Sequence, residues 1–301
     1  MKRAHRNERA AEDATLAPHL TVVPSRFRNA FVFSGGGNLG SIQVGMLRAL
    51  LGAGVVPDLL IGSSVGALNA AFMASGPTTQ RLDTLERVWR GLRTRDIFVG
   101  SKRSMLAHLL RRHDHVHSSS GLAEIVTEHI PVADLSELPL RLEVVTTDLH
   151  KGEARWWSSG APVDVLCASA ALPGIFPPVR LDGNLHVDGG VLEPIPEQRA
   201  IDLGASTVWV LDVGAERPVR VGEKMHAIDV FMASFATSRR KMALAPVAVP
   251  DGVVVHQLPY PDIGDLGRTD FSTSGRLLED AHQLTRDYLA RVDLTTPELA
   301  A

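Results

Sequence analysis

Two consecutive units of the same kind constrain the fold of this chain most strongly. In residues 30–51, a run of four apolar residues leads into a loop with four glycines, and apolar residues at helical spacing follow. Residues 59–74 repeat the pattern with a shorter apolar run and a loop flanked by two glycines. Short apolar strands that alternate with helices are typical of parallel sheets covered by helices. We therefore expect an α/β fold with a mainly parallel sheet.

The rest of the chain predicts further elements of this fold. Apolar residues recur at spacings of three and four over residues 277–289, which predicts an amphipathic helix packed on the core. Strand-like apolar runs occur at residues 142–146, 154–157 and 208–213.

A polar middle segment and two polar ends define the expected organisation. Residues 77–135 are more polar and helical in patches, which predicts a helical insertion or cap over the sheet. We expect one domain over residues 29–292, with flexible tails at 1–28 and 293–301.

Composition excludes several classes of protein. The 301 residues carry 31 Lys and Arg against 34 Asp and Glu, a formal net charge of −3, so we expect no nucleic-acid partner. A single cysteine excludes a secreted disulfide scaffold and suits a reducing compartment, which favours a cytoplasmic location. The chain nowhere has about 18 consecutive apolar residues without charge, so we expect peripheral membrane contact at most and no crossing.

Ser64 is the candidate nucleophile. It lies in the motif Gly62-x-Ser64-x-Gly66, directly after an apolar strand and before a helix, which is the setting of a nucleophile elbow. The sharp turn points the hydroxyl into open space, and the N–H groups of Ser64 and Val65 at a helix N-terminus favour developing negative charge. The alternative is a glycine-rich turn in which Ser63 or Ser64 caps the helix.

The motif Gly35-x-Gly37-x-x-Gly40 has two functional interpretations. As a dinucleotide fingerprint it would cradle a pyrophosphate in a binding module without turnover. However, the acid near the required spacing, Asp58, precedes the second strand instead of ending it. The same N–H groups would also serve as an oxyanion hole beside the serine elbow, which explains both loops with one reaction. A turn without a ligand is the third alternative.

Asp188 is the candidate base. It stands in Asp188-Gly189-Gly190 between two valines, where a buried carboxylate accepts a proton from Ser64 if the fold brings the two together. The alternative is a turn aspartate that bonds its own backbone. A rival centre is a Ser–Asp–His triad, whose histidine would follow Asp188 in the chain. The candidates for it are His226, His256 and His282.

Four segments together resemble the patatin-like phospholipases, and they occur in that family's order. They are the loop 35–40, the elbow 62–66, the stretch 168–178 and the turn 188–190, within roughly residues 29–213. The resemblance implies a three-layer α/β/α fold, a lipid or ester substrate, and no metal or organic cofactor. It also implies that the domain over residues 29–292 is catalytic.

The resemblance assigns roles to particular residues. Ser64 is the nucleophile and Asp188 the base, in a dyad without a catalytic histidine. The resemblance makes the backbone N–H groups of Gly36 and Gly37 the oxyanion donors. To these we add Gly35 of the same loop and Val65 at the start of the helix as expected donors.

One position departs from the family's pattern. Family members commonly carry Arg or Lys before the last glycine of the first loop, where this chain has Leu39. Because a cation there suits a phosphate group, the change bears on phospholipid specificity more than on ester hydrolysis. Arg155 and Arg180 are candidates to replace the missing cation.

Residues 102–117 combine basic, apolar and imidazole side chains. His113, His115 and His117 alternate as zinc ligands on a strand would, but adjacent arginines and the lack of a nearby cysteine favour a solvated loop. The basic, apolar part fits either an anionic lipid surface or packing on the protein's own core, and we favour packing. We expect Cys167 to be a core residue.

Overall fold

The described part of the chain covers most of the predicted domain. The computed structural model describes residues 26–98, 117–214, 227–264, 266, 269–292 and 294. Most of segment 102–117 and of the two predicted tails therefore lies outside the described residues. The division into one domain and two tails stays a prediction.

Eight strands form one mixed sheet in the described residues. They are β1 (Phe27–Phe33), β2 (Leu59–Ser63), β3 (Arg141–Asp148), β4 (Glu153–Trp157), β5 (Val179–Leu181), β6 (Asn184–Asp188), β7 (Ala205–Leu211) and β8 (Val254–Gln257). Hydrogen-bonded pairing links them in the order β5, β6, β3, β2, β1, β7, β8, and β4 also pairs with β3. The pairs among β1, β2, β3, β7 and β8 are parallel, while β4, β5 and β6 are antiparallel to their neighbours. The predicted mainly parallel sheet is confirmed.

Helices cover both faces of this sheet. Phe31 and Phe33 of β1 belong to a core that includes residues of α1 and α2, whereas Ala30 and Val32 belong to a second core with α7. Both faces are buried, as a parallel sheet requires, so the three-layer architecture is confirmed. The helices are α1 (Ser41–Gly52), α2 (Val65–Ala74), α3 (Thr79–Gly91), α4 (Thr94–Ile97), α5 (Ser120–His129), α6 (Pro162–Ser169), α7 (Glu197–Asp202), α8 (Ala227–Ala243) and α9 (Ser274–Leu289).

The elements with a clear apolar pattern were predicted correctly. Strands β1, β2, β3, β4 and β7 and helices α1, α2 and α9 lie where the sequence places them. The described part of segment 77–135 contains α3, α4 and α5, in agreement with its predicted helical character. Strands β5, β6 and β8 and helices α6, α7 and α8 were not predicted. None of the described helices combines the length and apolar character needed to span a bilayer.

Strand β3 brings the ends of two other strands together. Ser63 of β2 pairs with Val145, and Asp188 of β6 pairs with the next residue of β3, Thr146. Strand β4 pairs with residues 144–148 of β3, which include partners of both β2 and β6. It therefore lies on the other edge of β3, and β2 and β6 share one edge. Since β2 runs parallel and β6 antiparallel to β3, their carboxyl ends meet end to end.

Gly45 of α1 marks the closest approach of the terminal helix α9. A Cβ added to Gly45 would overlap the carbonyl oxygen of Leu278 and lie 2.9 Å from the backbone nitrogen of His282. A Cβ added to Gly52, at the end of the same helix, would meet nothing within 4 Å. The two glycines therefore form a matched pair for testing this packing.

We predict that Gly45→Ala lowers the free energy of unfolding by about 1–3 kcal/mol, because α9 must move away from α1. Gly52→Ala should leave that free energy unchanged or raise it by up to about 1 kcal/mol, since alanine favours helices. Denaturant titrations of both variants measure the difference. Equal stability would show that α1 and α9 do not pack this closely.

Candidate active site

Ser64 lies at the sharp turn between β2 and α2. Its backbone has φ 55° and ψ −127°, a conformation that residues other than glycine rarely adopt. A Cβ added to Gly62 would lie 2.5 Å from Cα of Ala67, and one added to Gly66 would lie 2.5 Å from the carbonyl oxygen of Phe33. Neighbouring backbone atoms therefore come so close to both positions that only glycine fits there. A strained serine on such a turn has the geometry of a nucleophile elbow.

Ser169, at the end of α6, anchors this turn to the sheet. Its hydroxyl accepts a hydrogen bond from the N–H of Ser64 at 3.0 Å and donates one to the carbonyl oxygen of Val145 at 2.7 Å. The side chain is fully buried. The sequence places Ser169 in a segment of the family resemblance but gives no signal for this anchoring role. The N–H of Ser64 itself is engaged in this bond.

Asp188 ends β6 and lies directly against Ser64. The Ser64 hydroxyl donates to Oδ2 of Asp188 at 2.5 Å, and the N–H of Gly190 donates to Oδ1 at 2.7 Å. The hydroxyl of Thr147 donates to the backbone carbonyl of Asp188 at 3.0 Å. Both carboxylate oxygens are thus held, and the fold brings together two residues that their spacing could not connect.

The surroundings of Asp188 favour its proton-bound form. The residue is 3% exposed. Burial raises the pKa of the Asp188 carboxyl group, and the charge of Arg239 and the hydrogen bonds from Ser64 and Gly190 oppose this rise without cancelling it. A carboxylate with a raised pKa is a stronger base toward a hydroxyl proton.

The first glycine loop borders the same site at the carboxyl end of β1. Gly36 and Gly37 line a shared cavity with Ser64, and so does Val65, the first residue of α2. The N–H of Gly35 donates to the carbonyl oxygen of Pro194 at 3.0 Å and is engaged there. Gly35 is therefore not free to donate to a ligand, and Gly36, Gly37 and Val65 stay predicted oxyanion donors.

A buried polar network holds this loop in place. Gln43 donates to the carbonyl oxygen of Ser34 at 2.8 Å and accepts a hydrogen bond from the side chain of Asn69 at 2.8 Å. Asn69 also donates to the carbonyl oxygen of Gly40 at 3.0 Å and accepts from the indole of Trp89 at 2.9 Å. Buried amides whose hydrogen bonds are satisfied restrict the backbone to one arrangement. The loop is therefore positioned before any ligand binds.

The dinucleotide interpretation lacks its acidic partner. The carboxylate of Asp58 accepts hydrogen bonds from the N–H groups of Arg28 at 2.7 Å and Asn29 at 3.0 Å. These residues lie near the start of β1, at the end of the sheet opposite to the glycine loop. Asp58 therefore cannot contact a ribose bound at that loop.

A large apolar cavity of about 1110 Å³ opens onto Ser64 and Asp188. Its walls come from α2, α3, α5, α8 and residues near position 263. The volume is slightly above the usual range for ligand pockets and suits a long apolar group. Large apolar side chains on its surface include Leu68, Phe72, Trp89, Ile125, Phe176 and Phe235.

Arg239 of α8 is a residue of this site that sequence reasoning missed. A Cβ added to Gly35 would lie 2.9 Å from its Nη2, and one added to Gly190 would lie 3.2 Å from its Nε. The guanidinium group therefore lies between the first glycine loop and the turn after Asp188. Among the described residues that line the cavity, Arg239 is the one arginine or lysine. In the sequence it belongs to the basic run 239–241, which resembles an ordinary solvated charge cluster.

The two described histidines considered for a triad do not line the cavity at Ser64. The ring of His256 stacks on that of Trp209 with centroids 4.0 Å apart, and His282 borders a smaller hollow beside α1 and α9. His226 lies outside the described residues. The direct hydrogen bond between the candidate nucleophile and base leaves no place for an imidazole between them.

The two arginines proposed to replace the cation missing at Leu39 do not line the cavity. Arg155 lies 3.8 Å from the carboxylate of Asp182, and Arg180 donates to the carbonyl oxygen of Gly183 at 2.7 Å. Leu39 itself contributes an apolar side chain to the cavity wall.

The remaining candidates do not form a second centre in the described part of the chain. His113 and His115 lie outside it, and no group of three potential metal ligands occurs among the residues it includes. Cys167 is buried, as predicted, and burial followed by the nearby charge of Asp164 raises the pKa of its thiol to about 12. A thiol with so high a pKa stays protonated and acts as a packing group.

Comparison with known proteins decides the family. Residues 31–201, more than half of the chain, match the profile of the family described as patatin-like phospholipase. The chain belongs to the patatin-like phospholipase family. Patatin-like phospholipase domain-containing protein 7 of Rattus norvegicus is 29% identical to it over 188 residues, which are 62% of this chain and 14% of that protein. Protein 6 of the same series in Homo sapiens is 32% identical over 192 residues, 62% of this chain and 13% of that protein.

A bacterial relative covers a larger share of its own length. An uncharacterized NTE family protein of Mycobacterium bovis is 32% identical over 176 residues, 56% of this patatin-like chain and 44% of that protein. The chain thus spans less than half the length of these relatives. The solved structure of VipD from Legionella pneumophila aligns with a TM-score of 0.45 and 16% identity, over 87% of this chain and 67% of that one.

The strained backbone at Ser64 yields a prediction about stability. We expect Ser64→Gly to be more stable than Ser64→Ala by about 1 kcal/mol, because glycine adopts φ 55° without the steric cost of a Cβ. Both variants lack the hydroxyl, so their difference isolates the backbone term. Thermal and denaturant unfolding measure it. A more stable Ser64→Ala would show that the turn is not strained.

Proposed function

We propose that this patatin-like phospholipase chain hydrolyses carboxylic esters of lipids, with Ser64 as nucleophile and Asp188 as general base. The observation that carries the proposal is the 2.5 Å hydrogen bond from the Ser64 hydroxyl to the buried Asp188 carboxylate, beside a large apolar cavity. A base bonded directly to a hydroxyl activates it as a nucleophile. The apolar walls suit an acyl chain.

The first half of the reaction forms an acyl-enzyme. Oγ of Ser64 attacks the carbonyl carbon of the ester while its proton passes to Oδ2 of Asp188. The tetrahedral intermediate then collapses, and the bond between the carbonyl carbon and the alcohol oxygen breaks. Asp188 gives the proton to the departing alcohol, and the acyl group remains on Ser64.

The second half releases the acid. A water molecule gives a proton to Asp188 as its oxygen attacks the acyl carbon. The bond between that carbon and Oγ of Ser64 breaks, and Oγ takes the proton back from Asp188. One ester and one water are consumed, and one alcohol and one carboxylic acid are formed, so the cycle balances without a cofactor.

We assign stabilisation of the oxyanion to the backbone N–H groups of Gly36, Gly37 and Val65. Val65 begins α2, and the N-terminal end of a helix favours negative charge. Gly36 and Gly37 approach the same cavity from the first glycine loop. We leave Gly35 out of this group because its N–H donates to a carbonyl oxygen of the protein.

A lipid substrate implies contact with a lipid surface. We propose that the protein takes its substrate from a membrane surface by peripheral contact. The cytoplasmic location remains a prediction from the single cysteine and the absence of a long apolar run.

Replacement of the dyad tests the proposal directly. Ser64→Ala should reduce hydrolysis of p-nitrophenyl butyrate and of lipid esters to the background rate. Asp188→Asn should lower kcat by about 10²- to 10⁴-fold, the usual contribution of a general base. His256→Ala, which alters a histidine away from the site, is the control and should keep wild-type turnover. A fluorophosphonate probe should label wild type and not Ser64→Ala.

Two results would contradict this mechanism. One is undiminished turnover in folded Ser64→Ala or Asp188→Asn, which would place the reaction at other residues. The other is loss of turnover in folded His256→Ala, which would favour a triad with histidine.

The raised pKa of Asp188 predicts the pH dependence. The base acts when its carboxyl group is ionised, so kcat/KM should fall as the pH drops through the pKa of Asp188. Because burial raises that pKa, the fall should occur above the usual aspartate value of about 3.9. Initial rates with a neutral ester across the acidic and neutral range measure the midpoint, and a midpoint at or below the usual value would contradict the assignment.

A further inference from the structure

The guanidinium group of Arg239 has unused hydrogen-bond donors at the active site. Its Nε and Nη2 are shielded from solvent and have no hydrogen-bond partner in the described structure. An unpaired buried donor costs about 1–3 kcal/mol, and more when it is charged. An arginine kept in this state at a reaction centre needs a compensating interaction.

The surrounding backbone leaves space for this guanidinium group. A Cβ added to Gly190 would lie 3.0 Å from Oδ1 of Asp188 and 3.2 Å from Nε of Arg239, so both charged groups lie against that glycine. On the other side, a Cβ on Gly35 would lie 2.9 Å from Nη2 of Arg239 and 3.2 Å from Cβ of Ser64. Any side chain at either glycine would therefore crowd the guanidinium group.

The compensating interaction is the attraction between the buried Asp188 carboxylate and the nearby guanidinium group of Arg239. Burial raises the pKa of Asp188, and the positive charge of Arg239 is the largest influence that opposes this rise. Burial lowers the pKa of Arg239, and the charges of Asp188 and then Asp212 raise it. Each charge thus favours the ionised form of the other.

Other ionisable groups near Asp188 have different partners. His186, two residues earlier on β6, has Nδ1 2.9 Å from the hydroxyl of Thr146, and burial lowers the pKa of its ring. The β3 residue that contacts the backbone of Asp188 is Thr147, which does not ionise. Asp212 follows β7 and acts on Arg239. In the described structure, Arg239 is thus the cation that favours an ionised Asp188.

We propose that Arg239 is a positioning residue for ester hydrolysis: from α8, its guanidinium group lies beside the turn after Asp188 and favours the ionised carboxylate that takes the Ser64 proton. The inference rests on the proposed function, since only an ionised Asp188 takes the Ser64 proton. It gives α8 a part in the reaction through a side chain that need not touch the substrate.

Charge-removing variants of the full chain test this role. Arg239→Gln and Arg239→Met should each lower kcat for p-nitrophenyl butyrate at neutral pH by roughly tenfold, less than loss of the base itself, with KM nearly unchanged. The acidic limb of the pH profile, the range in which kcat/KM falls as the pH drops, should move to higher pH in both variants. Arg239→Lys, which keeps the charge, should restore most of the rate and return the limb toward its wild-type position.

Two further variants separate charge from packing. Lys241→Gln removes an exposed positive charge from the same helix and should keep the wild-type limb. Asp212→Asn removes a negative charge that acts on Arg239 and should move the limb to lower pH, opposite to Arg239→Gln. Should neither neutral variant at Arg239 fold, the lysine and Asp212→Asn variants decide the question. Melting temperatures and fluorophosphonate labelling report the folded, active fraction.

The outcomes distinguish this inference from the proposed function. If Ser64→Ala and Asp188→Asn lose activity but the limb stays in place in folded Arg239→Gln and Asp212→Asn, the role of Arg239 is refuted and the dyad stands. If neutral esters are unaffected in Arg239→Gln while KM rises for esters with an anionic head group, Arg239 binds substrate instead. If Ser64→Ala remains active, the proposed function itself fails.

Discussion

The end-to-end meeting of β2 and β6 on one edge of β3 is the constraint on which the site depends. Ser63 pairs with Val145 and Asp188 with Thr146, so the residue after β2 and the last residue of β6 are brought together. A shift of β6 by two residues would displace Asp188 by roughly 7 Å, and a shift by one would turn its side chain to the other face. Either change would break the 2.5 Å hydrogen bond to Ser64. An antiparallel strand is needed here because its carboxyl end faces that of the parallel strand.

The unfavourable features of the described structure are concentrated at this same point. Ser64 has a strained backbone, Asp188 carries a carboxylate out of solvent, and Arg239 has two buried donors without partners. Each feature costs of order 1–3 kcal/mol, a large part of the total stability of a domain. The nearby amides of Gln43 and Asn69, by contrast, have their hydrogen bonds satisfied. The folded state is thus destabilised at the reactive groups, whereas satisfied hydrogen bonds stabilise the neighbouring glycine loop.

The parts of the site that the sequence predicts are those that depend on local geometry. Gly62 and Gly66 are required by contacts within one turn, so their motif identifies Ser64 without knowledge of the rest of the fold. The position of Asp188 depends on the short antiparallel strands β5 and β6, which have little apolar pattern and were not predicted. The residues alone therefore made Asp188 a candidate base but did not indicate that it meets Ser64. The engagement of Gly35 with Pro194 and the approach of Arg239 depend on segments far apart in the chain. No local sequence pattern predicts such contacts between distant segments.

The position of the cation changes what the cavity can recognise. At Leu39, the position for which the family resemblance implies a basic residue, the wall is apolar, and the cavity's one described arginine has Nε and Nη2 shielded from solvent. An exposed ion pair contributes about 0–1 kcal/mol, whereas each buried methylene contributes about 0.8 kcal/mol. Burial of only a few methylenes against these walls would therefore outweigh an exposed head-group ion pair.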